Sequence, residues 1–183
     1  MKKTALVLIL AAFLVVGISS ASMAQVPGYW DIKGAIDFGG EIERDGQPDE
    51  DADSGFTLVG EYKVPYTAEW TFGGGIRYQL DRETEDTKDD FNFVPFYGLA
   101  HYNLQDSPYY FLGHLGYNTF DVDASGVDDT SGGMYYALGA GMDLASNMSA
   151  ELMYSVNSGE AEISGNDQDV DYSKITVSLG YQF

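Results

Sequence analysis

From residue 29 onward, apolar and polar residues alternate along the chain, and the alternation is interrupted at intervals by polar, acidic stretches. In "YWDIKGAIDFGGEIE" (29–43), Trp30, Ile32, Ile36, Phe38 and Ile42 share one face, while Asp31, Lys33, Asp37, Glu41 and Glu43 share the other. A period of two with classes this cleanly separated is a strand, because a helix of period 3.6 would mix them. The same pattern predicts strands in "GFTLVGEYKV", "EWTFGGGIRYQL", "FNFVPFYGLAHYNL", "YYFLGHLGYNTF", "MYYALGAGMDL", "AELMYSVN" and "KITVSLGYQF". In the fourth segment both parities are apolar, since Phe93, Tyr97 and Leu99 compete with Val94, Phe96 and Tyr102, and Pro95 suggests a bulge or an irregular end. Short connections such as "PYTA", "QDSP" and "ASNMS" take turns with long ones, which predicts an all-β, eight-stranded, antiparallel up-and-down barrel closed by its first and last strands.

The apolar face decides what surrounds the barrel. A soluble barrel of this size packs apolar side chains inside, whereas a membrane barrel turns them out. The soluble alternative makes Asp37, Glu41, Glu61, Arg77 and Glu151 the outer coat, with almost no lysine beside them. The aromatic residues favour the membrane: Trp30, Trp70, Tyr102, Tyr109 and Tyr181 lie near the short turns, and Phe56, Tyr78, Tyr117, Phe120 and Tyr172 near the long loops. Two such belts are expected at the two membrane interfaces. The polar face then lines the lumen, with Lys33, Asp37, Glu41, Glu61, Lys63, Glu69, Arg77, Asp143 and Glu151 as its charged network. Buried charges must pair or be neutralised. With so few cations, one or two of Asp37, Glu41 and Glu61 are expected to be protonated, solvated or cation-bound.

Residues 1–24 stand apart. Two lysines, an apolar run from Ala5 to Ile18 and the small residues Ser22 and Ala24 form the three parts of a secretory signal peptide, with cleavage after Ala24. A 14-residue helix from Ala5 to Ile18 spans only about 21 Å against a hydrocarbon core of about 30 Å. The barrel domain is then 25–183, with seven basic against 29 acidic residues and a net charge of -22. Such a chain does not bind nucleic acid by charge. It has no cysteine, so no disulfide supports it.

Of the 29 acidic residues, 20 fall in the four long connections. Asp49, Asp51 and Asp53, and again Asp167, Asp169 and Asp171, repeat at every other position and are candidates for Ca2+ or Mg2+. Neither run has the glycine and glutamate of an EF-hand. The plain alternative is a solvated acidic surface. His101 and His114 are the candidates for acid–base chemistry, but neither sits in a pattern that supplies a nucleophile, and both are expected to line the lumen. No catalytic residue and no cofactor is expected.

The endings "VSLGYQF" and the stretches "VPFYGLAHYNL" and "PYYFLGHLGYNTF" resemble the small OmpA/OmpX-like outer-membrane barrels of the porin superfamily. The resemblance implies four extracellular loops, short periplasmic turns and a Gram-negative outer membrane reached by the general secretory route. It also implies insertion by the barrel assembly machinery, which reads Val177, Leu179, Tyr181 and Phe183, contact with lipopolysaccharide, and a monomer. A structural or surface-interaction role is expected, with a narrow cation-preferring channel as the alternative and a lipid-modifying enzyme as a further one.

Overall fold

The computed structural model describes residues 27–44, 50–80, 82–83, 90–123, 127–145, 147–163 and 166–183. The predicted signal segment and Asp49 lie outside them. Eight long strands are present: β1 Tyr29–Arg44, β2 Gly55–Pro65, β3 Trp70–Gln79, β4 Asp90–Asn103, β5 Tyr109–Asp123, β6 Val127–Ala145, β7 Met148–Ile163 and β8 Asn166–Gln182. Each pairs antiparallel with its neighbour in sequence. β1 also pairs with β8, from Asp31 opposite Gln182 to Arg44 opposite Val170, and the sheet closes. Trp30 and Phe183 exchange both backbone hydrogen bonds at 3.0 Å, so the aromatic end of the chain is a rung of the seam. Two short ribbons, Glu50–Ala52 on β1 and Arg82–Glu83 on β4, extend the wall.

The apolar face points outward, as expected of a membrane barrel. Leu58, Leu115, Leu138, Leu152 and Leu179 are all more than half exposed, whereas Thr57, Glu61, Gln79 and Asn157 opposite them are fully buried. The shortest long strand, β3, has 10 residues; at about 3.3 Å per residue and a tilt of about 40° it rises roughly 25 Å, the height of the apolar band of such barrels. β6, β7 and β8 have 19, 16 and 17 residues and rise well beyond it. Much of what reads in sequence as the third and fourth acidic loops is therefore strand. Above the membrane the outward face meets water rather than lipid and becomes polar, so the ladder persists while the apolar alternation that reveals it fades.

Two further readings are revised by the structure, and the open parity of the fourth strand is resolved. β1 contains a bulge between Phe38 and Glu41, where Gly39 takes φ 59°. The extra residue shifts the parity, so Ile42 turns in and Glu41 and Glu43 turn out to solvent. Glu41 is thus not part of the lumen. In β4 the odd-numbered set points inward, with Phe91, Phe93, Tyr97, Leu99 and His101 all buried. Its ladder to β3 ends at Phe96 opposite Ile76, next to Pro95, which has no N–H to donate, and resumes at Arg82 opposite Phe91. Phe120 and Tyr172 are also inward rather than in the loop-side belt; with Ile42, Ala52, Phe91, Phe93, Ala161 and Val170 they form a buried apolar cluster across the loop end of the lumen.

Candidate functional site in the barrel lumen

The lumen is built by parity. Every second residue of each strand must point in, and the sequence places charges on the inward set of β1, β2, β3, β7 and β8. Among the described residues of the eight strands, the buried charges are Asp31, Asp37, Glu61 and Glu151 against Lys33, Lys63, Arg77 and Lys174, four of each sign. The shortage of cations expected from sequence disappears because Lys174, two residues before Thr176 on the same inward face of β8, joins the set and Glu41 leaves it. Glu69 and Asp143 do not join this network: Glu69 lies in the turn before β3 and Asp143 is exposed near the end of β6.

In the turn-side half, two lysines bridge three carboxylates. Lys33 Nζ lies 2.5 Å from Glu151 Oε2, 2.8 Å from Glu61 Oε2 and 3.8 Å from Asp31 Oδ2. Lys63 Nζ lies 2.6 Å from Asp31 Oδ2 and 3.1 Å from Glu61 Oε2. Tyr97 donates its hydroxyl to Glu61 Oε1 at 2.7 Å, and Tyr110 donates to Glu151 Oε1 at 2.9 Å. Room for Tyr97 comes from a missing side chain, because a Cβ on Gly75 would sit 2.7 Å from Glu61 Cγ and 2.9 Å from the Tyr97 hydroxyl. In the other half, Asp37 accepts from Lys174 at 2.9 Å, Thr57 at 2.5 Å and Thr176 at 2.6 Å. Arg77 lies between them, donating to the Tyr135 hydroxyl at 3.2 Å, with Nε and Nη2 unpaired.

The two histidines enter the same turn-side cluster. Tyr110, His101, His114 and Tyr97 stack in a column, with ring centroids 5.0, 6.4 and 4.3 Å apart and planes within 12°. Neither nitrogen of His114 nor Nε2 of His101 has a hydrogen-bond partner. Each such buried nitrogen costs about 1–3 kcal/mol of lost solvation. His114 Nε2 approaches Glu61 Oε1 to 3.9 Å.

The two ends of the lumen differ. At the loop end Phe93 stacks on Phe120 at 4.5 Å and on Tyr172 at 5.9 Å, while Phe91 meets Tyr172 edge-on at 5.1 Å. These rings form a plug. At the turn end a vestibule of about 650 Å³ opens between the turns, with Lys63, His101 and Tyr110 among its lining and Glu69, Asp106 and Asp143 contributing carboxylates. Hydrogen bonds from Gln105 and Thr67 hold the Glu69 carboxyl below the usual glutamate range.

Comparison with known proteins places this geometry. A family model for the outer membrane protein beta-barrel domain matches residues 8–183. The chain belongs to that family. In an outer-membrane β-barrel the short turns face the periplasm and the longer connections face outward; the vestibule therefore opens to the periplasm and the aromatic plug lies on the outer side. Among solved structures the barrel is similar to the attachment invasion locus protein of Yersinia pestis, at 15% identity and a TM-score of 0.54, with 85% of this chain and 97% of that one covered. It is also similar to Neisserial surface protein A, at 14% identity and a TM-score of 0.56, with 86% and 100% covered. No curated protein matches the chain. At these identities the likeness shows the eight-stranded fold.

The loop-side aspartates were singled out from sequence as cation ligands. Asp51 and Asp53 are exposed, as are Asp169 and Asp171; the backbone of Asp167 lies in β8. Asp171 stands opposite Glu43 and Asp51 opposite Glu41 in the strand registers, so both runs border the outward acidic face of upper β1. Val177, Leu179, Tyr181 and Phe183 form an exposed column on β8 and the residue after it. The residues that sequence missed are Asp31, placed on the polar face but left out of the charged network, Lys174, and the tyrosines that cap the glutamates, Tyr97 and Tyr110. Parity with Thr176 was the available signal for Lys174; nothing local marks the tyrosines as partners of residues 36 and 41 positions away.

Proposed function

We propose that this outer-membrane barrel does not conduct ions and serves a structural or surface-interaction role in a Gram-negative envelope, after export by the general secretory route. The observation that carries this reading is the obstructed lumen, in which a balanced ion-pair network and an aromatic plug lie in series. An eight-stranded barrel encloses only enough space for side chains to fill, and here they fill it. Planar-bilayer recording tests it. The refolded protein is expected to give no unitary steps, and steps whose reversal potential follows a cation gradient would establish the channel instead.

The same packing supports a non-enzymatic role. His101 Nε2 and both nitrogens of His114 are hydrogen-bonded to no serine, so among the described residues these atoms build no activated nucleophile. Turnover of lipid A by the refolded barrel, abolished by His114→Ala, would overturn this. The outward acidic face of upper β1 and its neighbours projects from the membrane toward the headgroup region of lipopolysaccharide. Its role is to keep that surface hydrated and mutually repulsive; calorimetric binding of Ca2+ or Mg2+ that is lost with Asp51→Asn and Asp169→Asn would assign it to cation bridging instead. The β8 column addresses the chain to the barrel assembly machinery, and Phe183→Ala is expected to slow insertion into membranes containing that machinery.

A further inference from the structure

We propose that Glu61, Glu151 and His101 form a periplasm-facing site for one divalent metal ion of the zinc class. One ligand atom from each of the three, all buried, lies within 4.8 Å of the others. Nitrogen and oxygen ligands about 2.0–2.1 Å from a tetrahedral zinc ion stand about 3.3 Å apart, so side-chain shifts of about 1–1.5 Å close the set. A donor set of imidazole and carboxylate suits zinc and its first-row neighbours better than calcium or magnesium.

Three independent features point the cluster toward a cation. His101 is only 3% exposed, yet its Nε2 has no partner. Glu61 and Glu151 are each oriented by a tyrosine hydroxyl, Tyr97 at 2.7 Å and Tyr110 at 2.9 Å, in the manner of outer-shell groups that aim metal ligands. Cationic groups already occupy the space between the glutamates: Lys63 Nζ stands 3.1 and 3.7 Å from them, and Lys33 Nζ bridges them more closely at 2.8 and 2.5 Å. This ammonium is the site's built-in competitor. When a metal takes the carboxylates, Lys63 keeps Asp31 at 2.6 Å as its partner, and Lys33 is the group displaced.

The route is also present. His101 and Lys63 line the periplasmic vestibule, and Glu69, Asp106 and Asp143 around it raise the local concentration of cations. The loop-side plug closes the opposite approach, so metal exchanges with the periplasm alone. The site does not depend on whether the barrel conducts.

The test is calorimetric titration of the refolded wild-type barrel with zinc chloride in excess magnesium, which saturates the acidic outer surface, together with zinc-edge X-ray absorption. One saturable site with a nitrogen donor in its shell is expected. His101→Gln should weaken it by at least about tenfold, and Lys33→Met should tighten it by about tenfold. Each variant is first shown to be folded by heat-modifiable electrophoretic mobility, and if Lys33→Met does not fold, His101→Gln decides. No saturable zinc binding to the folded wild type, an all-oxygen shell, or equal affinity in His101→Gln overturns the proposal.

Discussion

Lys174 shows how one side chain settles the electrostatics of this lumen. It lies 2.9 Å from Asp37, which also accepts from Thr57 and Thr176, so the carboxylate is stabilised by one charge and two hydroxyls at once. Removing one partner of a buried pair strands the other and costs about 3–5 kcal/mol. Lys174→Met is accordingly expected to lower the unfolding free energy by about that much in urea titrations of the lipid-embedded barrel. Glu41→Ala, on the outward side of the bulge, should change it by less than about 0.5 kcal/mol. Glu69 offers a check by NMR titration. Its hydrogen bonds from Gln105 and Thr67 favour the ionised carboxyl, so their contribution is present above the ordinary glutamate range and fades as pH falls through the lowered folded-state value. Gln105→Ala should move that titration back toward an ordinary glutamate.

The elements differ in how openly the sequence declares them. β2 and β3 cross the membrane and little more, one face in lipid and one in the lumen, and their alternation is plain from Phe56 to Tyr78. β7 and β8 carry on above the membrane through "GEAEI" and "NDQDVD", where the outward face meets water and turns acidic while Ala161 and Val170 stay buried, and these stretches look like loop. β1 is legible up to Phe38 and misleading after it, since a single bulged residue reverses the facing of every later side chain. The plug belongs to the same scale. It is assembled from β4, β5 and β8, whose inward parity continues past the charged layer into Phe93, Phe120 and Tyr172. Phe93→Ala removes the ring shared by both stacks and is expected to cost about 3–5 kcal/mol, read in the same urea titrations. Bilayer recordings of this variant should still be silent, because the Lys33–Glu61–Glu151 layer remains in place.

At the scale of the whole molecule, the barrel is a protein with its polar residues inside, and only lipid outside makes that stable. Leu138, 72% exposed and central on the outer face of β6, tests the point. Leu138→Arg is expected to destabilise the barrel by about 2–4 kcal/mol in bilayers, the cost of a cation near the midplane; a soluble barrel would tolerate the same change on its surface. The sequence alone determined the strand number, the inside-out sense and the closure of the first strand on the last, since period-two alternation and strand length are local properties that lipid and the hydrogen-bonding needs of the backbone make obligatory. It also supplied most of the lumenal charges, Lys33, Asp37, Glu61, Lys63, Arg77 and Glu151. Only the tertiary structure decided which of them meet. Glu61 and Glu151 are 90 residues apart in the chain, and His101 lies between them in sequence on a third strand; they become neighbours because barrel closure and strand stagger bring β2, β4 and β7 to one level across a narrow lumen. Pairing across a lumen depends on height and side-chain reach, neither of which has a local period to read.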